Sequence, residues 1–154
     1  MPLPPLQESP PLVALLAVVA FAVAWAAMSS LIAAVSGWRR LARVYRLTTP
    51  FNGRQWRFRS ARMRWSTNYS GCLTIGADVR GLYLGVLFVF RIGHPPVFVP
   101  WSDVRMTVHK GRVFRYLDFT FARAPGVVVG VDERLARNIL QAGRRSLPVE
   151  GGSA

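Results

Sequence analysis

The sequence predicts one N-terminal transmembrane α-helix, followed by a mainly antiparallel β domain of six to seven strands that ends in one amphipathic helix. Three observations carry this expectation. From Leu12 to Val35, 22 of 24 residues are apolar and none is charged. The chain of 154 residues holds 20 Lys+Arg against 7 Asp+Glu, a net charge of +13, yet residues 1–38 contain no Lys or Arg and a single acid, Glu8. Between Pro50 and Val131, short runs of alternating apolar and polar residues are separated by Gly, Pro and Asp turns, the period-two signature of strands.

Residues 1–11 form a short Pro-rich tail, too short to fold. As a helix, residues 12–35 are about 36 Å long, enough to cross a hydrocarbon core of about 30 Å with some tilt. A secretory signal peptide is the nearest rival, but it requires a basic segment before its apolar core, and Met1 to Pro11 has none. Arg39, Arg40, Arg43 and Arg46 follow the span directly. The positive-inside rule then places the C-terminal side in the cytoplasm and the N-terminus outside, in an inner (plasma) membrane.

Residues 36–49 read as a basic juxtamembrane helix continuing the span. Trp38, Leu41 and Tyr45 recur at helical spacing, while Arg39, Arg43 and Arg46 share another face. Such a helix lies in the interface, with rings at headgroup depth and guanidinium groups toward lipid phosphates. Within the span, Ala22, Ala26, Ser30 and Ala34 repeat every four residues, either a small-xxx-small face for a homodimer or a chance spacing in an Ala-rich helix.

Residues 50–143 form the β domain. In Gln55–Ser60 and Arg62–Trp65, arginines alternate with Trp56, Phe58, Met63 and Trp65, which places basic residues on one face and rings on the other. Strands are expected over Cys72–Ile75, Leu82–Leu84, Val86–Arg91, Val97–Trp101, Val104–Val108, Arg112–Phe121 and Val127–Val129, with Gly85 as a bulge or bend. The run Leu82–Phe90 is too short for a second membrane helix and reads as a buried strand pair. Asp132 is the expected N-cap of a last helix with Leu135, Ile139 and Leu140 as its apolar stripe and Gly143 as its end. Residues 144–154 are a tail.

Nine arginines and no acid lie between Arg39 and Arg64. Arg39, Arg40, Arg43, Arg46, Arg57, Arg59, Arg62 and Arg64 are therefore the candidate anionic-lipid-binding residues, with membrane phospholipid the favoured partner and nucleic acid the less favoured one. A solvated basic face without a ligand is the bland alternative. His94 and His109 have no partner at ligand spacing, and the single cysteine, Cys72, has no basic neighbour in sequence. His94, before Pro95-Pro96, reads as a loop residue; Asp78 and Asp103 read as turn or capping residues. No metal, cofactor or catalytic constellation is expected.

The segments Gly81-Leu-Tyr-Leu84 and Val97-Phe-Val-Pro-Trp-Ser-Asp-Val104, with the terminal helix, resemble bacterial pleckstrin-homology-like (GRAM-like) domains. The chain is also similar to an uncharacterised bacterial family of single-pass membrane proteins with a stretch like Phe90-Arg-Ile-Gly-His-Pro-Pro96. This resemblance implies a curved antiparallel barrel closed by a C-terminal helix, binding phosphoinositides, peptides or proteins, and carries over no catalytic residue. The expected function is thus that of a non-enzymatic, membrane-anchored protein whose cytoplasmic domain binds anionic lipid or a protein partner. The alternative is a structural or accessory subunit of an inner-membrane complex.

Overall fold

Pro10–Val35 forms a continuous 26-residue helix, α1, that is long and apolar enough to cross a membrane and keeps most of its surface outside the protein core. The structure is a computed structural model and describes residues 10–63, 67–110 and 115–144. α1 stops at a sharp break. Gly37 takes φ +86, and a Cβ there would stand 3.0 Å from Val127 Cγ2, so both the backbone and the space demand glycine. Beyond the break, α2 (Trp38–Tyr45) is a separate helix and not a continuation of the span.

α2 also buries what the sequence placed in the lipid headgroups. Trp38, Leu41, Ala42 and Tyr45 point into the domain core, with Trp38 and Leu41 fully inaccessible. The apolar stripe was legible, but its partner is protein. The indole Nε1 of Trp38 donates to the Pro95 carbonyl (2.9 Å), and the Tyr45 hydroxyl donates to Asp103 Oδ2 (2.9 Å). Asp103 is therefore more than a turn residue, since Arg123 Nε also meets its carboxylate at 2.8 Å and the Arg123 guanidinium lies over the Tyr45 ring. These charge-assisted hydrogen bonds hold the Asp103 carboxyl below its ordinary pKa, Arg123 contributing most and Tyr45 next.

Seven antiparallel strands follow: β1 (Arg54–Met63), β2 (Thr67–Ala77), β3 (Gly81–Val86), β4 (Val97–Pro100), β5 (Val104–Lys110), β6 (Arg115–Phe121) and β7 (Val128–Asp132). Their order, β4-β3-β2-β1-β7-β6-β5, makes one nearly closed, barrel-like sheet. β1 turns the corner. It pairs with β2 along most of its length but with β7 only through Arg62 and Met63, and its register with β2 slips on both sides of Arg59. Such bulges bend a strand and re-aim its side chains. Strict alternation is lost in consequence: Phe58 takes φ +54 and is 67% exposed, beside the arginines it was expected to oppose.

β3 is buried at all six positions because both its faces are covered. On one side lies the core; on the other, the Phe51 ring stacks on Tyr83 at 4.7 Å. Gly85 sits in regular register opposite Thr74 and is no bulge. The expected strand over Val86–Arg91 ends at Val86. A one-turn 3-10 helix, Phe88–Phe90, takes its place and turns Phe88 and Val89 outward, so only the first half of the Leu82–Phe90 run is buried.

The last helix, α3 (Glu133–Arg144), packs Leu135, Ala136 and Ile139 against β2, β6 and β7. Asp132 Oδ1 accepts from the Leu135 amide at 2.8 Å, which is the N-cap bond the sequence indicates. Asp132→Ala should cost about 1 kcal/mol, read as a lower denaturation midpoint with unchanged slope. Gly143 lies within the helix rather than after it. A Cβ there would stand 2.8 Å from the Trp101 ring, so glycine is needed for close approach.

Candidate functional site

The foot of α1 is where the basic residues converge. Arg39 and Arg43 lie one turn apart on α2, on a face that flanks the buried stripe at Ala42, and Arg46 follows directly as the helix's C-cap. With Arg91, Ala42, Gly93 and Pro95 they line a cleft of about 550 Å³. Four arginines thus line one open space beside the end of α1. Each presents a planar fork of donors suited to phosphate oxygens.

Two segments fix this geometry. α2 is locked to the domain by Trp38 and Tyr45, and its continuation is held by a bridge between Arg46 and Val97 and by the Leu47 amide, which donates to the Pro96 carbonyl (2.9 Å). Arg91 comes from the turn after the 3-10 helix, which leans on α1. There the Ser29 hydroxyl donates to the Ile92 carbonyl at 2.7 Å, and Gly93 approaches the Ser30 backbone so closely that a Cβ would stand 3.0 Å from it.

Of the eight arginines singled out from sequence, the cleft gathers three. Arg40 is exposed on α2 and does not line it. Arg57, Arg59 and Arg62 are exposed along β1, outside the cleft lining, and the Arg62 guanidinium lies 5.0 Å from the Tyr116 ring centre. Arg64 lies outside the described residues, as does the side chain of His109. Arg91 went unrecognised in the sequence because Val86–Arg91 reads as a strand end. Its signal was the lone charge in an apolar run ahead of Gly93-His94-Pro95-Pro96. Of the span's small residues, Ala22 and Ala34 are exposed, while Ser30 is already partly covered by Gly93.

Beneath the cleft, a buried polar cluster joins helix to domain. His94 is no surface loop residue, being only 2% exposed. Its Nε2 lies 2.8 Å from the Tyr69 hydroxyl, which donates to Ser36 Oγ at 2.9 Å. With that proton committed to Ser36, the tautomer assigned by the network has Nε2–H donating to Tyr69. Trp38 packs edge-on against the imidazole at 5.4 Å. Nδ1 makes no hydrogen bond among the described residues. The cluster is closed to solvent and links Ser36, Tyr69 and His94 Nε2 in one hydrogen-bonded chain, so it serves as a joint between α1 and the sheet.

Burial pushes the His94 pKa below its ordinary value, against a smaller opposing pull from the Ile92 and Phe90 carbonyls, and pushes the Tyr69 hydroxyl up. Below about pH 6.5 the unfolded chain then binds a proton at this histidine that the folded chain resists, so stability falls as pH falls. The midpoint of thermal unfolding should drop between pH 7.5 and pH 5, and His94→Gln should flatten that dependence. The depressed Asp103 carboxyl acts lower, losing its contribution only as pH falls beneath the ordinary carboxylate range.

Among the described residues, no three His, Cys, Asp or Glu side chains come together as a ligand set. Cys72 is a free, half-buried thiol whose pKa burial raises. No family model, curated protein or solved structure matches this chain.

Proposed function

We propose that this is a non-enzymatic, single-pass membrane protein whose pleckstrin-homology-like domain binds anionic phospholipid headgroups in the cleft formed by Arg39, Arg43, Arg46 and Arg91. The convergence of these four residues at the foot of α1, a helix long and apolar enough to span a bilayer, carries the reading. Each arginine near an anionic leaflet contributes about 1 kcal/mol. Here they face a common space, so one phosphodiester can meet several. The flanking arginines favour a cytoplasmic domain on the inner face of the plasma membrane, with the N-terminus outside. The domain's pleckstrin-homology-like character is supported by its strand order and its single C-terminal helix.

Retention of α1 in the mature protein is favoured by its contacts. Ala33 belongs to the domain's core cluster, and Ser29 and Ser36 are buried through bonds to the Ile92 carbonyl and Tyr69. A cut after Ala26 or Ala27 would spare those three residues but remove Trp25, taking from the Val89 carbonyl the indole that donates to it.

The test is lipid selectivity at the protein surface. The full chain is reconstituted in mixed bilayers, and electron paramagnetic resonance compares the association of spin-labelled phosphatidylglycerol with that of spin-labelled phosphatidylcholine. Preference for the anionic lipid, weakened by salt, is the expected result. Equal association of the two lipids would refute the reading. A second reading, as a subunit of a membrane complex, is favoured by the edge strand β5, where Met106 and Val108 are exposed. Crosslinking in intact membranes to a constant protein partner through β5, or between copies through Ala22 and Ala26, would support it.

A further inference from the structure

We infer that the turn Leu87–Ile92 is a membrane-inserted wedge, dipping beside α1 into the acyl-chain region of the same leaflet whose headgroups meet the arginine cleft. The inference rests on α1 crossing the bilayer and goes beyond headgroup binding, because it gives the domain a second, apolar contact with lipid.

Depth comes first. A hydrocarbon core of about 30 Å takes up roughly 20 helical residues. Wherever such a window sits within residues 12–35, Trp25 lies inside it, about 9–15 Å above its lower edge. Trp25 Nε1 donates to the Val89 carbonyl at 2.9 Å, and its ring meets Phe90 at 5.3 Å. The tip of the turn is therefore level with a residue that α1 holds within the hydrocarbon.

The turn's surface suits that depth. Phe88 is 77% exposed, Val89 41% and Ile92 51%, while Phe90 lies with Trp25 and Met28 of α1, a helix whose Phe21, Met28 and Leu31 are exposed as well. The one charge, Arg91, lines the cleft with the three arginines of the α2 region. Guanidinium at headgroup level and rings above it is the arrangement a bilayer interface selects.

The carbonyls of the turn are satisfied as lipid requires. Non-helical backbone persists in hydrocarbon only where its polar groups find partners within the protein. All six carbonyls from Leu87 to Ile92 have one. Those of Leu87, Phe88 and Arg91 accept from the amides of Phe90, Arg91 and His94. Val89 accepts from Trp25, and Phe90 and Ile92 share the Ser29 hydroxyl. A turn in water has no need of side chains from a membrane helix to occupy its carbonyls. Ser29 and Trp25, otherwise out of place in an apolar span, take on that purpose here.

The experiment uses the full chain in liposomes, with Cys72→Ser and single cysteines at Phe88 or Val89 carrying a nitroxide. Leu31→Cys on α1 and Val79→Cys in the β2–β3 turn serve as references. At positions 88 and 89, collision with oxygen should exceed collision with a water-soluble nickel chelate, as at position 31 and unlike position 79. Water-like accessibility at 88 and 89 with a lipid signal at 31 overturns the wedge while leaving the span intact. A water signal at 31 as well overturns both. Protection from both reagents at 88 would mean a protein contact, a second copy or a partner, and also overturns the proposal. Independently, photolysis of the unmodified chain with a phospholipid carrying a mid-chain diazirine should place adducts on residues 88–92; adducts confined to α1 would contradict the wedge.

Discussion

Replacing Arg39, Arg43, Arg46 and Arg91 together by Gln is expected to abolish the preference for anionic lipid. At about 1 kcal/mol for each arginine, a single replacement should weaken the preference roughly fivefold, and all four by up to about a thousandfold. The true loss will fall below that bound to the extent that one headgroup cannot touch all four groups at once. Stability should change little, because the four side chains are exposed and such surface changes lie within about 0.5 kcal/mol. The informative control is Arg57→Gln with Arg59→Gln. Those two residues belong to the same basic stretch of sequence but lie on β1, outside the cleft lining. If net charge alone drew the domain to lipid, two changes on β1 would cost about as much as two in the cleft.

Trp38→Ala is expected to be the most destabilising single change. The side chain is fully buried, its indole donates to the Pro95 carbonyl, and its rings pack against Tyr69 and His94. Truncating a buried tryptophan costs about 3–5 kcal/mol, a large share of a domain's stability of about 5–15 kcal/mol. For a domain of this size the unfolding midpoint should fall by more than about 10 °C, measured on the full chain in micelles by near-ultraviolet circular dichroism. Trp38→Phe should recover most of the loss, retaining a deficit of about 1 kcal/mol for the missing hydrogen bond. Were Trp38 an interfacial anchor in lipid, Trp38→Ala would leave the domain's unfolding midpoint where it is.

That contrast shows where sequence reasoning succeeded and where it stopped. The i, i+3, i+7 spacing of Trp38, Leu41 and Tyr45 correctly separated an apolar face from the arginine face of α2. Periodicity reports that a face is covered, however, and not by what, so a lipid-facing stripe and a core-facing one look alike. The strand order along the chain and the Asp132 cap were legible because turn and cap chemistry is local. The bulges in β1 were not, since no residue in Arg57–Ser60 announces a slipped register. Phe58, in particular, takes a positive φ that its residue type does not suggest.

The apolar run Leu82–Phe90 misled for a related reason. Burial on both faces of β3 and exposure of Phe88 and Val89 in the turn that follows produce the same hydrophobic string. Only the tertiary contacts of Trp25 and Ser29 divide it at Val86. Arg91 could not be joined to Arg39, Arg43 and Arg46 from sequence, because the fold brings it back across more than forty residues to the foot of the helix it follows. His94 was likewise hidden. Its partners Tyr69 and Ser36 are distant in sequence, and a polar residue before two prolines usually marks an exposed turn.

Native mass spectrometry of the full chain released from bilayers of equal phosphatidylglycerol and phosphatidylcholine tests the arginine cleft most directly. Wild-type protein should leave the membrane with anionic lipid bound. That lipid should be lost when Arg39, Arg43, Arg46 and Arg91 are changed to Gln and kept when Arg57 and Arg59 are changed. Retention of the same lipid by the fourfold variant, or equal retention of both lipids by the wild type, would contradict the account.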